Sequence, residues 1–587
     1  MKTKILSRFV GLFLLIQCSF IFAESNDRER ENMNSQFAEL ISQYEESLFN
    51  HFPELGSFWG KVDTPLDRFT DYSLKGIKEW EAQEDHFLEQ IKQTDLTQLN
   101  ESEKITYSLL QQTLENNKNA RVCKSQLWDV NPAFGWHNQL VTVAQKQPVG
   151  NDLLRQKALK RWKTFPQVVD QQIANLGEGM KTGYTAPKPA VERVIVQINL
   201  MIEGNIEDSP FFDFARKDND REFQKEIKEI IATQINPSLQ KYIDFLQKEY
   251  LPKARDSIGV STLPEGIACY KAKLKLETTL DISPNEIHAL GLHYIKQLKK
   301  EVAAIGLQKY ETEDMAEVFR RGKEESLNYF TSEQEILNYN NQALDKAKAK
   351  VPEWFDLMPK VPGIIKPYPP HRAKTGASGE YNPPAQDGST PGIFYINTYQ
   401  PEKRSRIDQE ATLFHELIPG HHFQIALQFE NTSIPVINRY LWNAGYGEGW
   451  ALYVERLADN MGLYEDEISR LGMLSNESLR ASRLVVDTGI HAFGWTRQQA
   501  IDYLSEHTAL SKNIIEGEVD RYIMLPGQAT SYMLGKLEIE NLRALAKEKL
   551  ADKFDIRQFH NQILKNGVVT LPMLRTQIKL WLSNQLM

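Results

Sequence analysis

Residues 414–424 read FHELIPGHHFQ, and the fold turns on whether this stretch is one helix or two. It starts like the His-Glu-x-x-His metal-binding pattern, with Glu416 directly after His415, but Pro419 stands where the second histidine belongs. His421 and His422 follow two and three residues later. In the usual pattern, two histidines four residues apart share a metal from one helical face, and the glutamate after the first is the general base. On a straight helix, at about 100° per residue, position +6 falls roughly 120° off that face. Position +7 returns to the face, roughly 10.5 Å further along the axis. An unbroken helix brings neither histidine to His415.

Pro419 and Gly420 change this. Proline has no N–H for the carbonyl of His415 and its ring crowds that carbonyl, while glycine adds backbone freedom. The pair predicts a broken or widened turn that absorbs two residues, as a π-bulge does. His421 then becomes the second ligand, with His422 as the alternative or a supporting group. A third ligand is offered by NAGYGEGWALYVERLAD, 443–459, where Glu448 lies 33 residues after His415 near the start of a helix that Gly445 and Gly447 open. Two histidines, one glutamate and an open water position make a hydrolytic donor set for one Zn2+ per chain, with Glu416 as base. Glu455, two turns beyond Glu448, is a candidate to hold a histidine N–H. Three of the chain's 12 histidines fall within eight residues here, which sets the stretch apart from an ordinary helix surface.

Outward from this motif, the chain reads as mainly α. REFQKEIKEIIATQINPSLQKYIDFLQKEYL, 221–251, carries apolar residues at three- and four-residue spacing. Ser283-Pro284-Asn285-Glu286 and Thr496-Arg497-Gln498-Gln499 have the N-cap and reciprocal acid or amide of capping boxes. The best strand signal is GIFYINTY, 392–399, either an edge strand for an extended substrate or a short core strand. Before it, residues 361–392 are dense in Pro and Gly and read as a structured loop. That loop suggests two lobes: 24–370, N-terminal and helical, and 371–587, carrying the metal site. Two lobes also suit 587 residues, more than one compact core needs.

Residues 1–23 read as a signal peptide, with Lys2, Lys4 and Arg8 ahead of an apolar run of 14 and Ala23 at the end. The run is shorter than the roughly 20 residues a membrane span needs. No stable membrane insertion is expected after cleavage, and Gln17 makes a poor lipid-attachment context for Cys18. The protein is expected to be exported, periplasmic or secreted. Removing three positive charges takes the net charge from -9 to -12, which gives no support to nucleic-acid binding, and the sequence shows no basic stripe. Cys123 and Cys269 are left to form one disulfide or to remain buried thiols.

HELIPGHHFQ, GYGEGWALYVE, VVDTGIHAFGWTRQQAIDYL and EVDRYIMLPGQATSYMLGK, in this order, resemble the bacterial "domain of unknown function 885" family, taken to be zinc-dependent and peptidase-like. The likeness runs from about residue 264 to 540. A looser one extends to the helical gluzincins, such as angiotensin-converting enzyme and thimet oligopeptidase. It implies a two-lobed helical fold with a deep channel and a small β element beside the active-site helix. It also implies Glu416 as base, Glu448 as ligand, and Tyr522 of the Arg521-Tyr522 pair as oxyanion donor, with Tyr532 the rival phenol. His491 lies in a matching segment and is a candidate to hydrogen-bond substrate; Arg521 and Arg480 are candidates to receive a substrate carboxylate. The chain is thus expected to be a metallopeptidase acting on oligopeptides. The alternatives are a zinc amidase for a non-peptide or cell-wall amide, or a non-catalytic metal-containing binding protein.

Overall fold

Helices dominate the chain, as the apolar spacing predicts. The computed structural model describes residues 35–325, 328–369, 373 and 378–587. The expected signal at 1–23 and Cys18 lie outside these. Among the described residues, no helix is long and apolar enough to cross a membrane.

Local chemistry explains where helices begin and bend. Both expected capping boxes form, Ser283 with Glu286 and Thr496 with Gln499. Within the stretch 221–251 and directly after it, Pro237 and Pro252 bring no N–H to the helical ladder. The turns that precede them, Ile231–Ile235 and Leu246–Tyr250, widen to π spacing.

Seven helices position the site. α1 is Pro284–Tyr310. α2, Gln409–Glu416, and α3, His421–Glu430, flank the Pro-Gly break. α4, Ala444–Asn460, and α5, Glu467–His491, follow. α6 is Lys512–Met524 and α7 is Ser531–Leu550. α5 packs along α1 and is buried over nearly its whole length. A buried charge costs several kcal/mol unless paired, and the buried carboxyl groups of α5 have partners. Glu477 binds Lys536 at 2.7 Å, and Asp487 accepts from the Tyr270 hydroxyl at 2.6 Å.

Four apolar clusters form the interior of the described residues. One is drawn wholly from 69–254. Another joins 37–114 to Ile437 and Leu441. The two that surround the site draw on 123–537 and 330–582, and so on both sides of position 370. Cys123 and Cys269 form a disulfide across 146 residues of chain, tying the N-terminal helices to this interior. Such a crosslink contributes about 2–4 kcal/mol by restricting the unfolded chain.

The Pro/Gly-rich stretch is not only loop. It supplies β1, Gly363–Pro367, and β2, Gly379–Asn382, which flank β3, Gly392–Ile396, in a three-stranded sheet of order β1-β3-β2. β1 runs parallel to β3 and β2 antiparallel. This corrects the edge-strand reading of GIFYINTY. β3 is central and pairs on both sides, so it offers no open edge, and Phe394 and Ile396 bury their side chains inward.

Candidate metal centre

The break in FHELIPGHHFQ forms as its residues dictate. α2 ends at Glu416, residues 417–420 bend, and α3 starts at His421. At position 420 a side chain would not fit: a Cβ there would stand 1.9 Å from the carbonyl oxygen of His415 and 2.3 Å from that of Phe414. The chain therefore folds back onto the end of α2 through a glycine. His421 enters beside His415, the imidazoles edge to face with ring centres 4.8 Å apart.

Glu448 comes from α4. The expectation that Gly445 and Gly447 open this helix gives way to a different role for the glycines. Asn443 is the N-cap, accepting from the Tyr446 N–H, and both glycines lie inside the first turns. Gly445 and Gly449, one turn apart, face Gly535 of α7. A Cβ on Gly535 would stand 1.8 Å from the Gly445 carbonyl oxygen, and one on Gly449 2.5 Å from the Gly535 Cα. The two backbones touch, and this contact brings α7 against the site.

His415, His421 and Glu448 each turn a ligand atom to a common centre, all within 4.8 Å of one another. Glu448 Oε2 lies 3.6 Å from His415 Nε2 and 3.4 Å from His421 Nε2. These separations are too long for good hydrogen bonds. They match the edge of a tetrahedron of ligands about 2.0–2.1 Å from zinc, roughly 3.3 Å. Burial would push the Glu448 carboxyl up, but the two imidazoles outweigh it and hold it well below the usual carboxylate range. Burial would likewise lower the His415 pKa; Glu448 and Glu455 overcome it and raise it to about 9. The cluster is thus built to hold positive charge. His415 Nδ1–H donates to Glu455 Oε1 at 2.7 Å, which turns the Nε2 lone pair to the centre. The donor set fits zinc.

Glu416 stands next to the ligands, part exposed, and makes no hydrogen bond among the described residues; its charge reaches His415 and Tyr381. Trp442, 53% exposed, places its ring 6.2 Å from that of His421.

His422 is not brought to the centre. Its Nε2–H donates to the Val361 carbonyl at 2.9 Å and its Nδ1 accepts from the Tyr381 hydroxyl at 2.9 Å. The ring lies over Gly363 and Gly392, register partners in β1 and β3, where any Cβ would strike it. Burial lowers its pKa to about 4. His422 therefore anchors α3 to the sheet.

Two further expectations are corrected by geometry. His491 is fully buried; its Nδ1 accepts from the Val260 N–H at 3.1 Å and its Nε2–H donates to the Tyr522 carbonyl at 3.0 Å. No ring nitrogen remains for substrate. The Tyr522 hydroxyl is also taken, accepting from Arg483 Nε at 2.8 Å and donating to Glu518 Oε2 at 2.6 Å in a fully buried position. Its rival Tyr532 is the phenol at the site. Tyr532 stacks beside His415 with ring centres 6.4 Å apart, and its hydroxyl makes no hydrogen bond among the described residues. Burial and then the Glu448 charge push its pKa up, so it stays a donor.

Arg480 reaches the site through Glu455, at 3.6 Å, and Arg521 pairs with Glu518 at 3.4 Å. Arg483, whose guanidinium lies 4.5 Å from the centre of the Tyr532 ring, was missed by sequence reasoning. The available signal was charge at 477, 480, 483 and 487, three and four residues apart in a stretch, 471–490, with no other charge.

A family model described as "Bacterial protein of unknown function (DUF885)" matches residues 53–578. No match is found among curated proteins. Among solved structures, one described as "the putative lipoprotein from Colwellia psychrerythraea" is 27% identical, covers 94% of this chain and 99% of its own, and superposes with a TM-score of 0.88. Another, "a putative lipoprotein of unknown function from Shewanella oneidensis", is 17% identical over 92% of this chain and 99% of its own, with a TM-score of 0.75, and shares the fold.

Proposed function

The chain belongs to the DUF885 family, and from the cluster built around its broken helix we propose that it is an exported, zinc-dependent hydrolase of peptide bonds in oligopeptides. The observation that carries this reading is the convergence of His415 Nε2, His421 Nε2 and Glu448 Oε2 beside an unengaged Glu416. A purely structural metal site has no use for such a base. Export is supported by the Cys123–Cys269 disulfide and by the description of the structural neighbours as lipoproteins.

His415, His421 and Glu448 would hold the ion, and Glu455 would keep His415 in the ligating tautomer. When bound, zinc supplies Lewis acidity, polarising a carbonyl and lowering the pKa of a water. Glu416 takes the proton from the attacking water and returns it to the leaving amine. The Tyr532 hydroxyl donates to the oxygen on which negative charge develops, with the Arg483 charge behind its ring. Trp442 gives an apolar wall next to His421.

The test pairs metal analysis with hydrolysis assays on the purified protein, His415→Ala and Glu416→Gln. About one zinc per chain, lost in His415→Ala and kept in an inactive Glu416→Gln, is the expected result. Full hydrolysis by a zinc-loaded Glu416→Gln would remove the base assignment.

A further inference from the structure

Three guanidinium groups gather on the α5, α6 and α7 side of the centre. Arg480 Cζ lies 5.9 Å and Arg483 Cζ 4.5 Å from the centre of the Tyr532 ring. Arg521 joins them through Glu518, which pairs with Arg483 at 2.6 Å and with Arg521 at 3.4 Å. Among the described residues, two carboxylates form ion pairs with the three, Glu518 and Glu455, and Glu455 already accepts from His415. Each guanidinium also keeps a buried nitrogen with no hydrogen-bond partner among the described residues: Arg480 Nε, Arg483 Nη1 and Arg521 Nε. The Arg483 side chain is only 5% exposed, so its unpaired donor is not answered by bulk water. Orphaned donors of this kind are costly and call for an acceptor.

We infer that Arg480, Arg483 and Arg521 form a carboxylate-binding subsite beside the metal centre, which makes the protein a carboxypeptidase-like exopeptidase acting on short chains with a free C-terminus. The inference rests on the metal-centre reading above. Two residues of extended chain span at most ~7 Å. A terminal carboxylate held at guanidiniums around Tyr532 therefore leaves the scissile amide one or two residues away, next to His415 and Glu416. Cleavage adds one water across that C–N bond. The oxygen enters the new carboxylate of the remaining chain, and the proton goes to the amine of a released amino acid or dipeptide. A planar carboxylate suits the guanidinium fork better than it suits an ammonium. The Arg480 and Arg521 side chains keep 13% and 21% exposure, against 5% for Arg483.

The experiment is equilibrium dialysis of full-length, zinc-loaded Glu416→Gln against a randomised pool of N-acetylated tetrapeptides. The pool is made once as free acids and once as C-terminal amides, and the bound fraction is read by mass spectrometry. Free acids should be retained roughly 10-fold or more over amides, the scale of a charge-assisted pair. Arg480→Gln and Arg521→Gln, each added separately, should cut that ratio severalfold. A ratio near one, or retention of neither pool, overturns the subsite, and the Glu416→Gln protein alone decides this if an arginine variant does not fold. Should Glu416→Gln still cleave peptides, the hydrolytic reading fails on that observation, while the acid-to-amide ratio is still read.

Discussion

Two buried clusters of histidine, tyrosine and acid lie on neighbouring parts of the same helical core. Around His491, the imidazole, the Tyr522 hydroxyl and the Asp487 carboxyl all have partners: Val260 N–H and the Tyr522 carbonyl take the ring, Arg483 and Glu518 take the Tyr522 hydroxyl, and Asp487 receives Tyr270 and the Gly527 N–H. Around His415, like groups are left facing one another across gaps of 3.4–3.6 Å, and among the described residues neither His421 Nδ1 nor the Tyr532 hydroxyl has a partner. The first cluster is finished as protein. The second leaves donors and acceptors turned toward a common centre.

Variants on each side sharpen or break this contrast. The largest effect is expected at the base. Glu416→Gln should lower kcat for a cleaved peptide by roughly 10²–10⁴-fold with zinc retained, as steady-state kinetics and metal analysis would show. Tyr532→Phe should cost about 10²–10³-fold in kcat, the scale of a lost oxyanion donor. Tyr522→Phe should instead show its main effect in melting, since it strips a partner from buried Arg483 and Glu518. Equal kinetic effects of the two phenylalanines would erase the distinction drawn between the phenols. Glu455→Gln should weaken zinc about 10–100-fold, read by competition with a chelator, because it loosens His415. On the finished side, His491→Ala should leave zinc stoichiometry unchanged and lower unfolding free energy by about 1–3 kcal/mol through two unsatisfied backbone groups.

The smallest effect concerns pH. Burial pushes the Asp487 carboxyl up to about 7, against an unfolded value of about 3.9. The folded state then binds more protons than the unfolded state between those values. Its contribution to stability is fully present below pH ~4 and declines as pH rises through 7. Asp487→Asn should flatten that slope in denaturant titrations.

The two clusters also show what a sequence discloses. The meeting of His415 and His421 was legible because Pro419-Gly420 has a local consequence, a broken turn, which alone rescues the six-residue spacing. Choosing His421 over His422 needed the sheet, since His422 is claimed by Gly363, Gly392 and Tyr381 from distant positions. β1 and β2 were hidden for the same reason: their pairing with β3 is non-local and their residues are turn-like. Tyr522 and Tyr532 look alike in sequence. Only the meeting of Gly445, Gly449 and Gly535 decides which phenol reaches His415.

That glycine contact sets a rigid dimension. Where Gly445 and Gly449 of α4 meet Gly535 of α7 there is no side chain to shift, so the spacing of the two backbones that carry Glu448 and Tyr532 is set by main chain against main chain. A ligand-bearing helix and a donor-bearing helix riveted in this way move together when the molecule breathes. Thermal motion elsewhere can then leave the spacing of these two helices unchanged.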